Sequence, residues 1–176
     1  GGPEGRDHLE DGADRGVRSE PARPTVLVTG ATGFVGGRLA AALVERGARV
    51  RALTRRDSGL EALEKIGVEA VRGDLDDPAS LRRAAEGATV VFHAAARVSD
   101  WGPREAFLRT NAEGTRNLVA ACRKAGVVRL VHLSSLTVLG LPRDGRLVNE
   151  ETPTATPARG DFYTESKLLA ERCVVE

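Results

Sequence analysis

The sequence predicts a doubly wound α/β domain with a parallel central sheet. Three observations lead there. Short runs rich in β-branched residues alternate with longer stretches of helical periodicity. The links between them are short, which favours right-handed crossovers between parallel strands. Several of the short runs are almost continuously apolar, as strands covered on both faces must be.

Taken in order, residues 1–24 come first. They are rich in Gly, Pro, Arg, Asp and Glu and nearly devoid of aliphatic side chains. Such a segment cannot bury enough apolar surface to offset the entropy of ordering, so a disordered tail is expected. The folded domain is expected over residues 25–176. Its strands are predicted at Thr25–Thr29, Ala48–Thr54, Val68–Arg72, Thr89–His93 and Arg129–Leu133. Helices are predicted at Phe34–Arg46, Leu60–Ile66, Pro78–Glu86 and Glu105–Ala125, with a last one from about Phe162 onward. Asp77-Pro78 offers an N-cap and a first-turn proline, and Gly47, Gly67, Gly87 and Gly126 stand where helices should stop. No stop signal follows the last helix at Val174-Val175-Glu176, so the domain is expected to be incomplete. No internal repeat is visible.

Composition narrows the function classes. A chain of 176 residues suffices for one domain with a sizeable core, and 41% hydrophobic with 29% charged residues is ordinary for a soluble globular protein. Lys and Arg total 26 against 25 Asp and Glu, a net charge of +1, which gives nucleic acid or an acidic membrane nothing to grip. No apolar run is long enough to cross a bilayer, and the first residues carry no secretory signal, so a cytoplasmic location is expected. With Met absent, Gly1 is not a native start, and a piece or a processed form of a longer chain is expected. Cys122 and Cys173 share no metal-ligand spacing with the histidines, so two buried thiols and no metal site are expected.

The first strand runs into Thr29-Gly30-Ala31-Thr32-Gly33-Phe34-Val35-Gly36. In such a strand-loop-helix junction Gly30 permits the tight turn, Gly33 lets backbone approach a pyrophosphate, and Gly36 lets the helix lie close to the sheet. The helix start offers free N–H groups and partial positive charge to phosphates. The end of the second strand should meet the adenosine ribose, where an acidic residue binds the 2′-hydroxyl and arginine accepts a 2′-phosphate. Here Arg55 and Arg56 favour NADP, because guanidinium makes paired, charge-assisted bonds to phosphate. Asp57 keeps NAD open, since a one-residue shift of the loop would bring it to the ribose.

TGATGFVG (Thr29–Gly36), GDL (Gly73–Leu75), HAAA (His93–Ala96), NAEGT (Asn111–Thr115), LSSLTV (Leu133–Val138) and YTESK (Tyr163–Lys167) follow one another along nearly all the expected domain. In these stretches the chain resembles the extended short-chain dehydrogenase/reductase family, also known as the NAD-dependent epimerase/dehydratase superfamily. That resemblance implies a Rossmann-type fold holding a nicotinamide dinucleotide. It implies that Thr32, Phe34 and Val35 join the three glycines at the cofactor, that Asp74 and Leu75 contact the adenine, and that Ala94, Ala95 and Ala96 line the floor beneath it.

The resemblance also implies a catalytic set. Tyr163 and Lys167 stand four apart on a predicted helix and share a face. A phenol is a poor general base at neutral pH, and a neighbouring ammonium favours its ionised form. Lys167 is also expected to bind the nicotinamide ribose. Ser135 is expected to hold the substrate oxygen, with Ser134 as its rival, because strand alternation sends the two side chains in opposite directions. Asn111 is expected either to support a water relay to Lys167 or simply to kink or cap its helix. The implied chemistry is reversible hydride transfer between NADP(H) and an alcohol or carbonyl carbon.

The stretch Ala95–Thr115 is most similar to the 3β-hydroxysteroid dehydrogenase and dihydroflavonol reductase branch, which implies a bulky hydrophobic small-molecule substrate. Leu136-Thr137 stands where sugar-nucleotide dehydratases carry Asp-Glu, which counts against dehydration. Val138-Leu139-Gly140 keeps an NDP-sugar epimerase as the alternative. A non-catalytic NADP-binding regulator is a further alternative, although such relatives lose the Tyr or Lys that this chain retains. Trp101 and Phe107 are read as a substrate entrance or as core. Family members continue well past the Tyr-x-x-x-Lys helix, so an uncovered sheet edge, weak cofactor binding if any, and little turnover by this chain alone are expected. Pairing of the long helices makes a homodimer an expectation.

Overall fold

The computed structural model describes residues 23–55, 59–140 and 147–176. The tail expected over 1–24 lies outside them up to residue 22, and so do Arg56 and Asp57.

Five parallel strands form the sheet: β1 (Thr25–Thr29), β2 (Arg49–Thr54), β3 (Glu69–Arg72), β4 (Val90–His93) and β5 (Arg129–His132). Their spatial order is β3-β2-β1-β4-β5. The chain moves outward from β1 to β3 and then returns to the other side of β1. A crevice therefore opens between β1 and β4, at the carboxyl ends of the strands, where sheets of this kind take their ligands.

Side-chain alternation divides the apolar residues into two cores. Leu27, Leu53 and Val91 face one side and meet Leu81, Ala84 and Ala85 of α3 (Pro78–Ala85) and Leu118, Ala121 and Cys122 of α5 (Gly114–Ala125). Val26, Val28, Val50 and Ala52 face the other, against Ala40, Leu39 and Leu43 of α1 (Phe34–Glu45) and Leu63 of α2 (Leu60–Lys65). Cys122 and Cys173 are buried free thiols. No helix among the described residues is long and apolar enough to cross a membrane.

The predicted helix Glu105–Ala125 differs in its interior. It comprises α4 (Arg104–Phe107), a π-helical stretch Leu108–Glu113 and α5. The widened turns carry Asn111, 1% exposed, whose side chain accepts from Arg97 N and donates to Ser166 Oγ, both outside the helix. Thr115 Oγ1 donates to the Asn111 carbonyl at 2.5 Å. The widened turns are held by Arg97 and Ser166 from other parts of the chain, so the predicted continuous helix missed them. A 3₁₀ turn at Leu136–Leu139 was likewise not predicted. The last helix, α6 (Phe162–Val175), starts where expected, with Asp161 Oδ1 accepting from Thr164 N at 3.0 Å.

Candidate active site

The loop after β1 is shaped by two close approaches. Gly30 has φ +74°, and a Cβ there would stand 2.6 Å from Ala95 N. A Cβ on Gly36 would stand 2.2 Å from the Gly30 carbonyl oxygen. The loop thus rests on the end of β4, and α1 rests on the loop, with no room for a side chain between them. Gly33 closes the turn by donating from its N to Gly30 O at 2.9 Å. It is also the N-cap of α1, without a capping side chain and without an acidic residue in the first turn. The first N–H groups of α1 lack intrahelical acceptors by geometry, and positive potential gathers there. A phosphate anion fits this end, and glycine and alanine leave the space for it.

Two joined hollows extend from that loop. One, of about 380 Å³, is lined by Thr29, Gly30, Thr32 and Gly33, by Leu53, Thr54 and Arg55, by Gly73 through Asp76, by Ala94 through Ala96, and by Arg109 and Thr110. The other, of about 270 Å³, is lined by Gly30 and Gly33 through Gly36, by Ala94, Ala96 and Val98, and by Leu133, Ser134, Tyr163 and Lys167. Gly30, Gly33, Ala94 and Ala96 belong to both walls, so the hollows form one continuous cleft. Its length, its anion-fitting middle and its small-residue floor suit an extended dinucleotide.

Most of the expected cofactor residues line this cleft; Arg56 lies outside the described residues. Arg55 sits at the carboxyl end of β2, and its carbonyl accepts from Arg72 Nη1 at 2.6 Å. Asp74 N donates to Ser80 Oγ at 3.0 Å, and Asp74 Oδ1 accepts from Asp76 N at 3.1 Å, which fixes the turn beneath the first hollow. Asp76 and Arg109 pair at 3.3 Å on the wall across from Arg55.

At the other end α6 brings Tyr163 and Lys167 to one wall. Lys167 is 2% exposed, and its Nζ donates to Leu133 O at 2.6 Å and to His132 Nε2 at 3.2 Å. Burial pushes its ammonium down to about 8, against the pull of Glu171. Ser134 lines the hollow, and its buried Oγ has no partner among the described residues. Ser135 is not among the lining residues. Its Oγ accepts from Thr137 N at 3.3 Å and pairs with Thr137 Oγ1 at 3.0 Å, capping the 3₁₀ turn.

Asn111 does not line the cleft either. Its Oδ1 accepts from Arg97 N at 2.7 Å, and its Nδ2 donates to Arg97 O at 3.1 Å and Ser166 Oγ at 2.9 Å. Of the two aromatics, Phe107 is buried beneath the Arg97 guanidinium, 5.2 Å from the ring centre, whereas Trp101 is 84% exposed.

Sequence reasoning missed His93 and His132, which pair in register on β4 and β5 with ring centres 5.1 Å apart. His93 Nδ1 lies 2.6 Å from Thr29 Oγ1 and its Nε2 lies 2.9 Å from Thr115 Oγ1. Burial pushes both imidazoles down, His93 to about 3 and His132 to about 4. A polar residue closing each of two neighbouring apolar strands was the available signal.

Comparison with known proteins agrees with this geometry. The pattern of the NAD dependent epimerase/dehydratase family matches residues 26–176. The chain is 42% identical over 153 residues to sterol demethylase protein B of Methylococcus capsulatus, covering 86% of this chain and 46% of that protein. It is 39% identical over 158 residues to a 3-beta-hydroxysteroid dehydrogenase of Mycolicibacterium neoaurum, covering 85% and 42%. A short-chain dehydrogenase/reductase superfamily protein of Agrobacterium tumefaciens, solved with bound NAD, superposes with a TM-score of 0.73 at 38% identity, covering 85% of this chain and 44% of that one. The chain thus spans less than half the length of these relatives.

Proposed function

The chain belongs to the NAD-dependent epimerase/dehydratase family, and from that premise we propose that it is the cofactor-binding part of an NADP-dependent dehydrogenase or reductase acting on a bulky hydrophobic alcohol or ketone. The observation that carries the reading is the single cleft running from Arg55, past the open start of α1, to Tyr163 and Lys167.

In that cleft the first turn of α1 takes the pyrophosphate, Asp74 and Leu75 flank the adenine, and Arg55 receives the 2′-phosphate. Arg55 at the described end of β2 supports NADP over NAD, because guanidinium pairs well with a 2′-phosphate. When bound, the nicotinamide supplies or accepts the hydride. Tyr163 gives or takes the proton at the substrate oxygen, and Lys167 favours the ionised phenol and holds the ribose. A serine after β5 orients the same oxygen. Ser135 takes that role by releasing Thr137; Ser134, already in the wall with an unpartnered hydroxyl, is the competing candidate. Asn111 acts as a strut rather than through a water, because Arg97 and Ser166 occupy its amide. An apolar substrate is supported by Phe34, Val35, Val98 and Leu133, which line the catalytic end and are well exposed.

The test has two parts. Titration of the folded chain with NADPH and with NADH, followed by cofactor fluorescence, should show tighter binding of NADPH. Replacement of Arg55 by Ala should remove that preference; a preference for NADH in the parent chain would reverse the cofactor assignment. The whole protein should oxidise a 3β-hydroxysteroid or a similar secondary alcohol with NADP⁺ and lose this activity in Tyr163→Phe. Interconversion of UDP-hexoses without net change in the cofactor would instead identify an epimerase.

A further inference from the structure

We propose that His132 is a positioning residue for Lys167, an uncharged acceptor that fixes where the ammonium stands beside Tyr163. The proposal rests on the reading of Lys167 as part of the catalytic pair.

The argument begins with proton bookkeeping. An ammonium only donates, so the His132 Nε2 that lies 3.2 Å from Lys167 Nζ presents a lone pair. The ring proton of neutral His132 then resides on Nδ1, which is buried with no acceptor among the described residues. The arrangement accepts an unpaired donor in order to keep an acceptor on the lysine.

His93 has the opposite tautomer, and its partners enforce it. The Thr115 hydroxyl spends its proton on the Asn111 carbonyl at 2.5 Å, so it can only accept from His93 Nε2 at 2.9 Å. His93 Nδ1 is therefore bare and accepts from Thr29 Oγ1 at 2.6 Å, while Thr29 accepts in turn from Ala95 N at 3.2 Å. A second proton on His93 would break the Thr29 contact next to the phosphate loop. One on His132 would set two cations 3.2 Å apart. Around this corner the titratable groups are His93 on β4, His132 on β5, and Tyr163, Lys167 and Glu171 on α6, with Glu171 favouring the ammonium. Together these contacts tie the end of β1 to the catalytic lysine through two neighbouring, uncharged rings tilted by 40°.

The chain contains three histidines and three lysines, so ¹⁵N-labelled histidine and lysine give sparse spectra. Two-bond nitrogen–proton couplings in the unmodified chain should show His93 protonated on Nε2 and His132 on Nδ1, with assignments checked in His132→Gln. His132 protonated on Nε2 would overturn the proposal without recourse to any variant. In His132→Phe the ionisation of Lys167 should move down by about one pH unit, as loss of an acceptor to a charged donor implies. NADPH affinity should fall about tenfold. His132→Gln, which restores an acceptor oxygen, should recover both. A folded His132→Phe chain with unchanged lysine titration and unchanged affinity would reduce His132 to a core filler. If His132→Phe fails to fold, the tautomer and the Gln variant still decide. A folded parent chain that binds no NADPH would move the dinucleotide test to the whole protein, while the tautomer and the lysine titration would still judge His132.

Discussion

Asn111 Nδ2 donates to Ser166 Oγ at 2.9 Å, and the Ser166 hydroxyl in turn donates to the backbone carbonyl of Tyr163 at 2.7 Å. Through this pair the widened stretch of the Glu105–Ala125 region holds the helix that carries Tyr163 and Lys167, and the same amide holds both backbone groups of Arg97. Replacing Asn111 with Leu leaves the half-buried Arg97 backbone groups and Ser166 without this partner. Stability should fall by about 2–4 kcal/mol, since each orphaned buried group costs about 1–3 kcal/mol. Urea unfolding followed by circular dichroism measures it. A loss no larger than that of an exposed substitution would mean that water readily replaces the amide.

Lys167 makes stability rise with pH on the alkaline side. Burial brings its folded ionisation from 10.5 down to about 8, so between those values the unfolded chain binds the extra proton. Stability should therefore increase from about pH 8 to 10.5 and hold a constant penalty below pH 8, on the order of 3 kcal/mol. Lys167→Met should unfold at higher urea at pH 7 and lose this slope. Equal slopes in the two chains would show that the ammonium is well solvated in the folded state.

The histidines act on the acid side. The ordinary value is 6.5, and burial holds His93 near 3 and His132 near 4 in the folded chain. Their contribution is present in full above about 6.5 and is lost as pH falls through those lower values, because the unfolded chain takes up protons that the folded one refuses. Between pH 6 and 4 the steepness should approach two protons, roughly 2.7 kcal/mol per pH unit. His132→Gln should halve it. Stability independent of pH across that range would contradict neutral buried imidazoles.

The strands, the order of elements and the glycine-rich turn after β1 were legible in the sequence for a simple reason. Each depends on local signals: apolar runs such as Val26-Leu27-Val28, an N-cap such as Asp77, glycines at forced turns. The π-helical stretch around Asn111 was not legible, because it is stabilised by Arg97 and Ser166, which are remote in sequence. The same holds for His93 and His132, whose tautomers follow from partners on other elements. Ser134 and Ser135 were left as rivals because alternation says that they diverge and says nothing of which one meets the cleft.

Not every glycine in this chain carries the same constraint, and the contrast is testable. Gly47 has φ +81°, but a Cβ there would meet nothing within 4 Å. Gly47→Asn should therefore cost no more than about 1 kcal/mol, the usual price of a left-handed residue that tolerates the conformation. At Gly36 the obstacle is backbone, with the Gly30 carbonyl oxygen 2.2 Å from the added atom. Neither a rotamer nor a flexible neighbour can relieve that contact, so Gly36→Ala must push α1 off the loop and distort the turn proposed to take the phosphates. Thermal melting should show a large loss for Gly36→Ala and almost none for Gly47→Asn. Any folded Gly36→Ala chain should bind NADPH at least tenfold more weakly. Retained affinity would mean that the α1 start is not what holds the phosphates.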